Sequence, residues 1–292
     1  MKRGTNHFQH QLVFLGPAIL FFTIVLLIPF VIGTYYSFTN WNGLSANPEW
    51  VGLDNFIRVL TDDVKFRNAF WFTVKYSVTT VLLVNMVGLL LAILLTRAIK
   101  GRSFFRTAYF LPNVIGGLLL GYIFKFIFIY GVPTLGNATG IAYLQTPWLG
   151  TAGTAFWGVV IMSVWQISGY MMIIYIAGII NIPSELVEAA RIDGANGFLI
   201  FRRIIFPLIL PSVTICLFLT TNYAFKSFDQ ILSLTGGGPF GTTEVVALDI
   251  YNEAFIRNRM GLGSAKAFIF FVIVAAITVT QVWLTKRKEV EA

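Results

Sequence analysis

The chain is 292 residues long, 57% hydrophobic and only 12% charged, with a mean hydropathy of +0.76. That balance argues against a soluble domain and makes lipid the expected solvent. The net charge of +8 does not indicate nucleic acid, because the basic residues flank apolar runs instead of forming a soluble basic face. The single cysteine, Cys216, lies in an apolar run, so no disulfide framework is possible and a small buried core residue is expected. His7 and His10 have no Cys, Asp or Glu at ligand spacing, and no metal site is expected.

Six windows satisfy the need for about 20 predominantly apolar residues per spanning helix: roughly 12–34, 71–96, 108–130, 153–180, 204–226 and 263–285. They predict an all-α membrane protein with six transmembrane helices in a single domain. The first run is too long for the apolar part of a signal peptide and no A-x-A-like site follows it, so it reads as a retained helix bent at Pro17 and Pro29. Pro112 with Gly116 and Gly117 in the third window, and Pro207 with Pro211 in the fifth, predict helices bent around a cavity.

Lys and Arg alternate between loops. Lys2, Arg3, Arg97, Lys100, Arg102, Arg106, Arg191, Arg202, Arg203, Lys286, Arg287 and Lys288 fall on one side, and only Arg58, Lys65, Arg67, Arg257 and Arg259 on the other. By the positive-inside rule both termini are cytoplasmic. Lys75, Lys125, Lys226 and Lys266 lie near span ends, where snorkelling is the simplest expectation.

Catalytic signatures are missing. "GGGP" at Gly236 to Pro239 lacks the G-K-[ST] of a phosphate loop and falls on the predicted external face. There is no H-E-x-x-H, no G-x-S-x-G and no carboxylate pair deep in a span. The chain is not expected to be an enzyme, to hold a cofactor or to have catalytic residues. Nucleotide chemistry for any energised work has to come from another polypeptide.

"SELVEAARIDGANGFLIFRR", residues 184–203, stands out because four charges fall within Ser184 to Asp193 in an otherwise charge-poor chain. Ser184 is placed to cap a helix, Glu185 to complement its dipole, and Gly194 to terminate it. Glu188 and Arg191 are spaced to pair on a flank, and a second short helix is expected from Phe198 to Arg203. A helix this short needs something to pack against. A lipid-surface helix would have bulky anchors and a basic face; here the apolar face is rich in alanine and three acids oppose one base. Docking into a protein groove fits these residues better.

"EAARIDGANGFLIFRRIIFPLILP", Glu188 to Pro211, resembles the E-A-A…G loop of the membrane subunits of bacterial ATP-binding-cassette importers. "WVGLDNFIRVL" and "LTGGGPFGTTEVVALDIYNEAF" are similar to the carbohydrate-uptake branch, of the maltose and glycerol-3-phosphate type. The resemblance implies a type I importer permease fold with a cytoplasmic coupling helix and a core of about residues 71–285. It implies that Glu188, Ala189, Ala190, Asp193 and Gly194 couple to a cytoplasmic ATPase dimer, which binds the ATP and magnesium. Further implied partners are a second homologous permease subunit and an extracytoplasmic sugar-binding protein, with a carbohydrate as substrate and a bacterial cell membrane as the location. A glycerol-phosphate-type solute is an alternative cargo.

Polar groups within spans are expensive and usually face protein or water. Asn85, Asn113, Gln166, Asn222, Tyr223, Lys226, Asp229 and Gln230 are therefore candidates for a pathway, with interhelical hydrogen bonding as the competing role. "TTNYAFKSFDQ" offers the aromatic and amide groups that suit a sugar. An ion-coupled secondary transporter would instead show membrane-embedded acids, which are missing here.

Overall fold

The computed structural model describes residues 14–97 and 99–287; the expected features at Lys2, Arg3, His7, His10 and Lys288 lie outside them. In chain order the helices are α1 (Phe14–Tyr36), α2 (Asp54–Thr61), α3 (Val64–Thr96), α4 (Arg102–Phe110), α5 (Gly117–Thr139) and α6 (Ala152–Ile180). They continue as α7 (Ser184–Ile192), α8 (Gly197–Leu208), α9 (Leu210–Phe225), α10 (Asp229–Leu234), α11 (Val246–Tyr251) and α12 (Met260–Lys286). Among the described residues the only extended pairing is an isolated bridge between Thr39 and Trp50. Five helices, α1, α3, α5, α6 and α12, are long and apolar enough to cross a membrane, and α8 with α9 forms a sixth, broken at a 69° bend.

Two expected boundaries are corrected. The third span does not run from residue 108 to 130. Pro112 begins a tight 3-10 turn over Leu111–Val114, Ile115 is extended, and the spanning helix starts only at Gly117. Pro112, Gly116 and Gly117 together deprive the backbone of one donor and of helix propensity within six residues, so the helix breaks although the apolar run does not. The fifth span does not begin at residue 204 as one helix. Its first limb, α8, starts at Gly197 and absorbs the expected short helix from Phe198 to Arg203. At the bend Ile209 leaves helical geometry (φ −91°, ψ 4°), and Pro211 has no N–H to offer the carbonyl of Pro207.

The odd-numbered spans share a local device. Wide π-helical turns at Thr23–Leu27, Ile127–Gly131 and Phe201–Ile205 each end two residues before a proline: Pro29, Pro133 and Pro207. A helical proline lacks a donor and its ring crowds the carbonyl four residues back. In all three cases that carbonyl lies inside the wide turn, where i to i+5 bonding gives it room.

Backbone packing divides the chain into two compact units, one built from the segment ending at Val64 with Ile250–Phe271, the other from Lys65–Asp249 with the segment from Val272. In the first unit, Asn55 Nδ2 donates to the carbonyls of Ser37 and Thr39 at 2.9 and 2.8 Å, closing the loop that follows α1. The Gly261 N–H donates to the Trp41 carbonyl at 2.8 Å, and a Cβ on Gly261 would overlap the Thr39 carbonyl, so only glycine allows this approach. Lys266, expected to snorkel, is instead fully buried. Its Nζ lies 2.8 Å from Asp63 Oδ2 and 2.9 Å from Glu253 Oε2. Arg257 and Arg259 also pair with Glu253, Arg259 at 3.5 Å. Burial works against the charged form of Glu253, but the bonds and charges of Lys266 and Arg257 outweigh it and hold the carboxyl below its usual range.

The second unit is organised around α6, the most enclosed span. One apolar cluster gathers Tyr76, Leu120, Phe128, Val159, Met162 and Leu234; another gathers Val84, Met171, Met172, Tyr175, Ile209 and Cys216. Cys216 is a buried free thiol, as its apolar surroundings predicted. In lipid, close packing and hydrogen bonds replace the hydrophobic drive that assembles soluble cores. Glycines supply the approach: a Cβ on Gly169 of α6 would overlap the Tyr109 carbonyl of α4, and one on Gly121 of α5 would overlap Ser233 of α10.

Candidate coupling helix and transport pathway

Helix α7 is short and carries a complete stop signal. Pro183, not Ser184, takes the capping position, with extended geometry (φ −55°, ψ 128°) and no side-chain cap; Ser184 is the first helical residue. The fixed ring of Pro183 makes the entry turn that Ser184 was expected to provide. Glu185 occupies the first turn and Arg191 the last, each complementing the helix dipole. At the other end Gly194 is left-handed (φ +81°), its N–H donates to the Arg191 carbonyl at 3.1 Å, and the Ala195 N–H reaches back to Ala190 at 2.9 Å. This double closure is a Schellman motif. Two residues later, Asn196 Oδ1 accepts from the Leu199 N–H at 2.9 Å and caps α8. The link between the two helices is thus fixed by backbone and cap hydrogen bonds.

The outer surface of α7 is bare. Glu188, Ala189, Asp193 and Gly194 are exposed and Ala190 is half-buried. Glu188 and Arg191, expected to pair, form no ion pair; both side chains project into open surroundings. Leu186, Ile192 and Phe198 are exposed apolar side chains beside them, Ile192 at 87%. A cavity of about 320 Å³ opens where Ala190, Asp193 and Gly194 face Arg203 and Ile204. An acidic, small-residue helix held rigidly at both ends but covered on one side only can transmit a push without deforming.

The candidate pathway residues separate into two sets. Gln166 and Tyr223 are brought together. Gln166 Nε2 donates at 3.0 Å to the Ile115 carbonyl, which the break before α5 has freed from helical bonding. Tyr223 Oη donates to Gln166 Oε1 at 2.7 Å, and Gln230 Nε2 donates to Tyr223 Oη at 3.0 Å. Asn85 makes a second interhelical link, donating to Thr220 Oγ1 at 2.9 Å and accepting from Tyr175 Oη at 2.7 Å. These four side chains bind helices to one another. Asn113, Asn222, Lys226 and Asp229 do not join them. Asn222 Nδ2 bonds only to the Phe218 carbonyl of its own helix, at 3.0 Å; Asn113 is half-buried, and Lys226 and Asp229 are exposed without side-chain partners among the described residues.

Residue-by-residue reading missed one buried polar seam. Tyr76 Oη lies 2.8 Å from Ser163 Oγ and 3.0 Å from Ser227 Oγ, tying α3 to α6 and to the end of α9. Thr73, Tyr76, Ser77 and Thr80 are all buried. Their spacing of three, one and three residues is the helical period, a signal present in the sequence but hidden by attention to amides and charges.

Residues 84–290 match the family model described as binding-protein-dependent transport system inner membrane component. The chain belongs to that family. The permease is 51% identical, over 96% of its own length and 94% of the relative's, to the "Probable starch degradation products transport system permease protein AmyD" of Thermoanaerobacterium thermosulfurigenes. It is 39% identical, over 90% of each chain, to the "Multiple sugar-binding transport system permease protein MsmF" of Streptococcus mutans. In three dimensions it aligns with a chain of a bacterial ABC transporter involved in the import of the acidic polysaccharide alginate, with a TM-score of 0.84, covering 98% of this chain and 99% of that one at 21% identity. That likeness establishes the all-α ABC importer permease fold with its broken span.

Proposed function

We propose that the permease forms half of the translocation pathway of an ATP-driven importer of oligosaccharides. The observation that carries this reading is the extended identity with a transport protein for starch degradation products, together with the second sugar-system relative. Its partners in this reading are a second homologous permease subunit, a cytoplasmic ATPase dimer holding ATP and magnesium, and an extracytoplasmic sugar-binding protein that delivers the carbohydrate. Both termini face the cytoplasm of a bacterial cell, in keeping with the distribution of Lys and Arg.

Coupling runs through Glu188, Ala189, Ala190, Asp193 and Gly194. The ATPase closes on α7, and the capped link to α8 passes the displacement to the bent span. Rigid-body rocking of the spans then exchanges the side from which the pathway is open. Within the pathway, Asn113, Asn222, Lys226 and Asp229 present unengaged polar groups to sugar hydroxyls. Gln166 and Tyr223 hold the wall behind them.

Two measurements test this function. A strain lacking the gene is expected to lose uptake of radiolabelled maltooligosaccharides; undiminished uptake overturns the substrate class. Gly194→Asp is expected to insert in the membrane yet abolish uptake and reduce co-purification of the ATPase. A Cβ there meets nothing within 4 Å, so the defect comes from the left-handed backbone and the added charge, not from a clash. Normal transport by that variant overturns the coupling role.

A further inference from the structure

We propose that the segment from Arg97 to Leu111, centred on α4, is a binding site for an anionic phospholipid. It joins two spanning helices, α3 and α5, so it lies where the apolar slab meets water. Of its four cations only Arg106 is engaged within the chain, donating from Nη2 to the Leu95 carbonyl at 2.8 Å and so satisfying the end of α3. Arg97, Lys100 and Arg102 are exposed and form no ion pair among the described residues. The sequence offers them no local counter-ion: no Asp or Glu occurs between Asp63 and Glu185.

The same helix turns bulky rings outward. Phe104 is 72% exposed and contacts Phe105 edge-on at 5.1 to 6 Å range, with a centroid separation of 5.8 Å. Tyr109 and Leu111 are exposed farther along. Its other side is fixed against α6, where Phe110 meets Tyr170 and the Tyr109 carbonyl abuts Gly169. Basic residues at one end and aromatic anchors along the outer face are the attributes of an interfacial helix, and those that α7 lacks. Three unpaired cations need negative charge, and the exposed rings need acyl chains. A phospholipid with a net negative headgroup supplies both, whereas an acidic protein surface would satisfy the cations and leave Phe104 and Phe105 uncovered.

The test uses the assembled transporter, purified with its partner subunits from membranes containing phosphatidylglycerol and phosphatidylcholine, with retained lipid counted by native mass spectrometry. The wild type is expected to retain phosphatidylglycerol preferentially, and the triple variant R97Q/K100Q/R102Q to lose that preference by about tenfold or more. The double variant F104S/F105S is expected to hold less lipid in total while keeping the headgroup preference. Equal phosphatidylglycerol retention by wild type and triple variant overturns the proposal. So does loss of ATPase co-purification in the triple variant with lipid retention unchanged, which would make the surface a protein contact. If the triple variant does not assemble, salt decides on the wild type: release of phosphatidylglycerol as ionic strength rises supports the site, and retention at high salt overturns it.

Discussion

Lys266 concentrates the largest single-residue effect. It is fully buried between Asp63 and Glu253, two carboxylates that face one another once the ammonium is gone. Lys266→Met is expected to cost about 3 to 5 kcal/mol, read as a lowered midpoint in thermal denaturation of the detergent-solubilised protein. Glu253 adds a dependence on pH. Its folded carboxyl titrates below the ordinary value of 4.5, so the stability it contributes is present above that pH and is lost as pH falls through the lower folded value. The wild-type midpoint is expected to drop on acidification below pH 4.5, and the drop to shrink in Lys266→Met, where Glu253 has lost its main partner. The sequence showed Lys266 near a span end and nothing more. Asp63 lies on a distant loop, and spacing alone does not reveal a pair that only the folded chain assembles.

At the scale of elements, hydrogen bonds between helices carry more of the architecture than composition disclosed. Tyr223 Oη is shared between Gln166 and Gln230, so Tyr223→Phe is expected to destabilise the permease by about 1 kcal/mol in denaturation measurements. The bend in the fifth span has a backbone cause. Pro211→Ala restores a donor for the Pro207 carbonyl, and is expected to reduce the 69° angle between α8 and α9 and to lower uptake; spin-label distances across the two limbs would register the change. Long apolar runs announced six spans, and Pro207 with Pro211 announced a bend. The break at Ile115 and Gly116 escaped the same reading because Phe110 to Leu120 stays apolar throughout, and hydropathy is blind to a backbone that changes conformation without changing polarity.

For the whole molecule, charge is distributed by task. The exposed acids Glu185, Glu188 and Asp193 are confined to α7, the unpaired cations Arg97, Lys100 and Arg102 flank α4, and the ion cluster around Lys266 is closed on itself. The first of these was legible in the sequence because it interrupts an apolar background. The second needed the fold to show which cations are engaged, and the third needed it to bring separated segments together. The three proline-linked wide turns bear on how the chain tolerates change in length. Each holds one residue more than an α-turn would, so deleting a residue from Phe201–Ile205 would turn everything after it by about 100° about the helix axis. A missing residue there would point Tyr223 away from Gln166 without altering any side chain, which makes the length of these turns as much a part of the permease's specification as the prolines beside them.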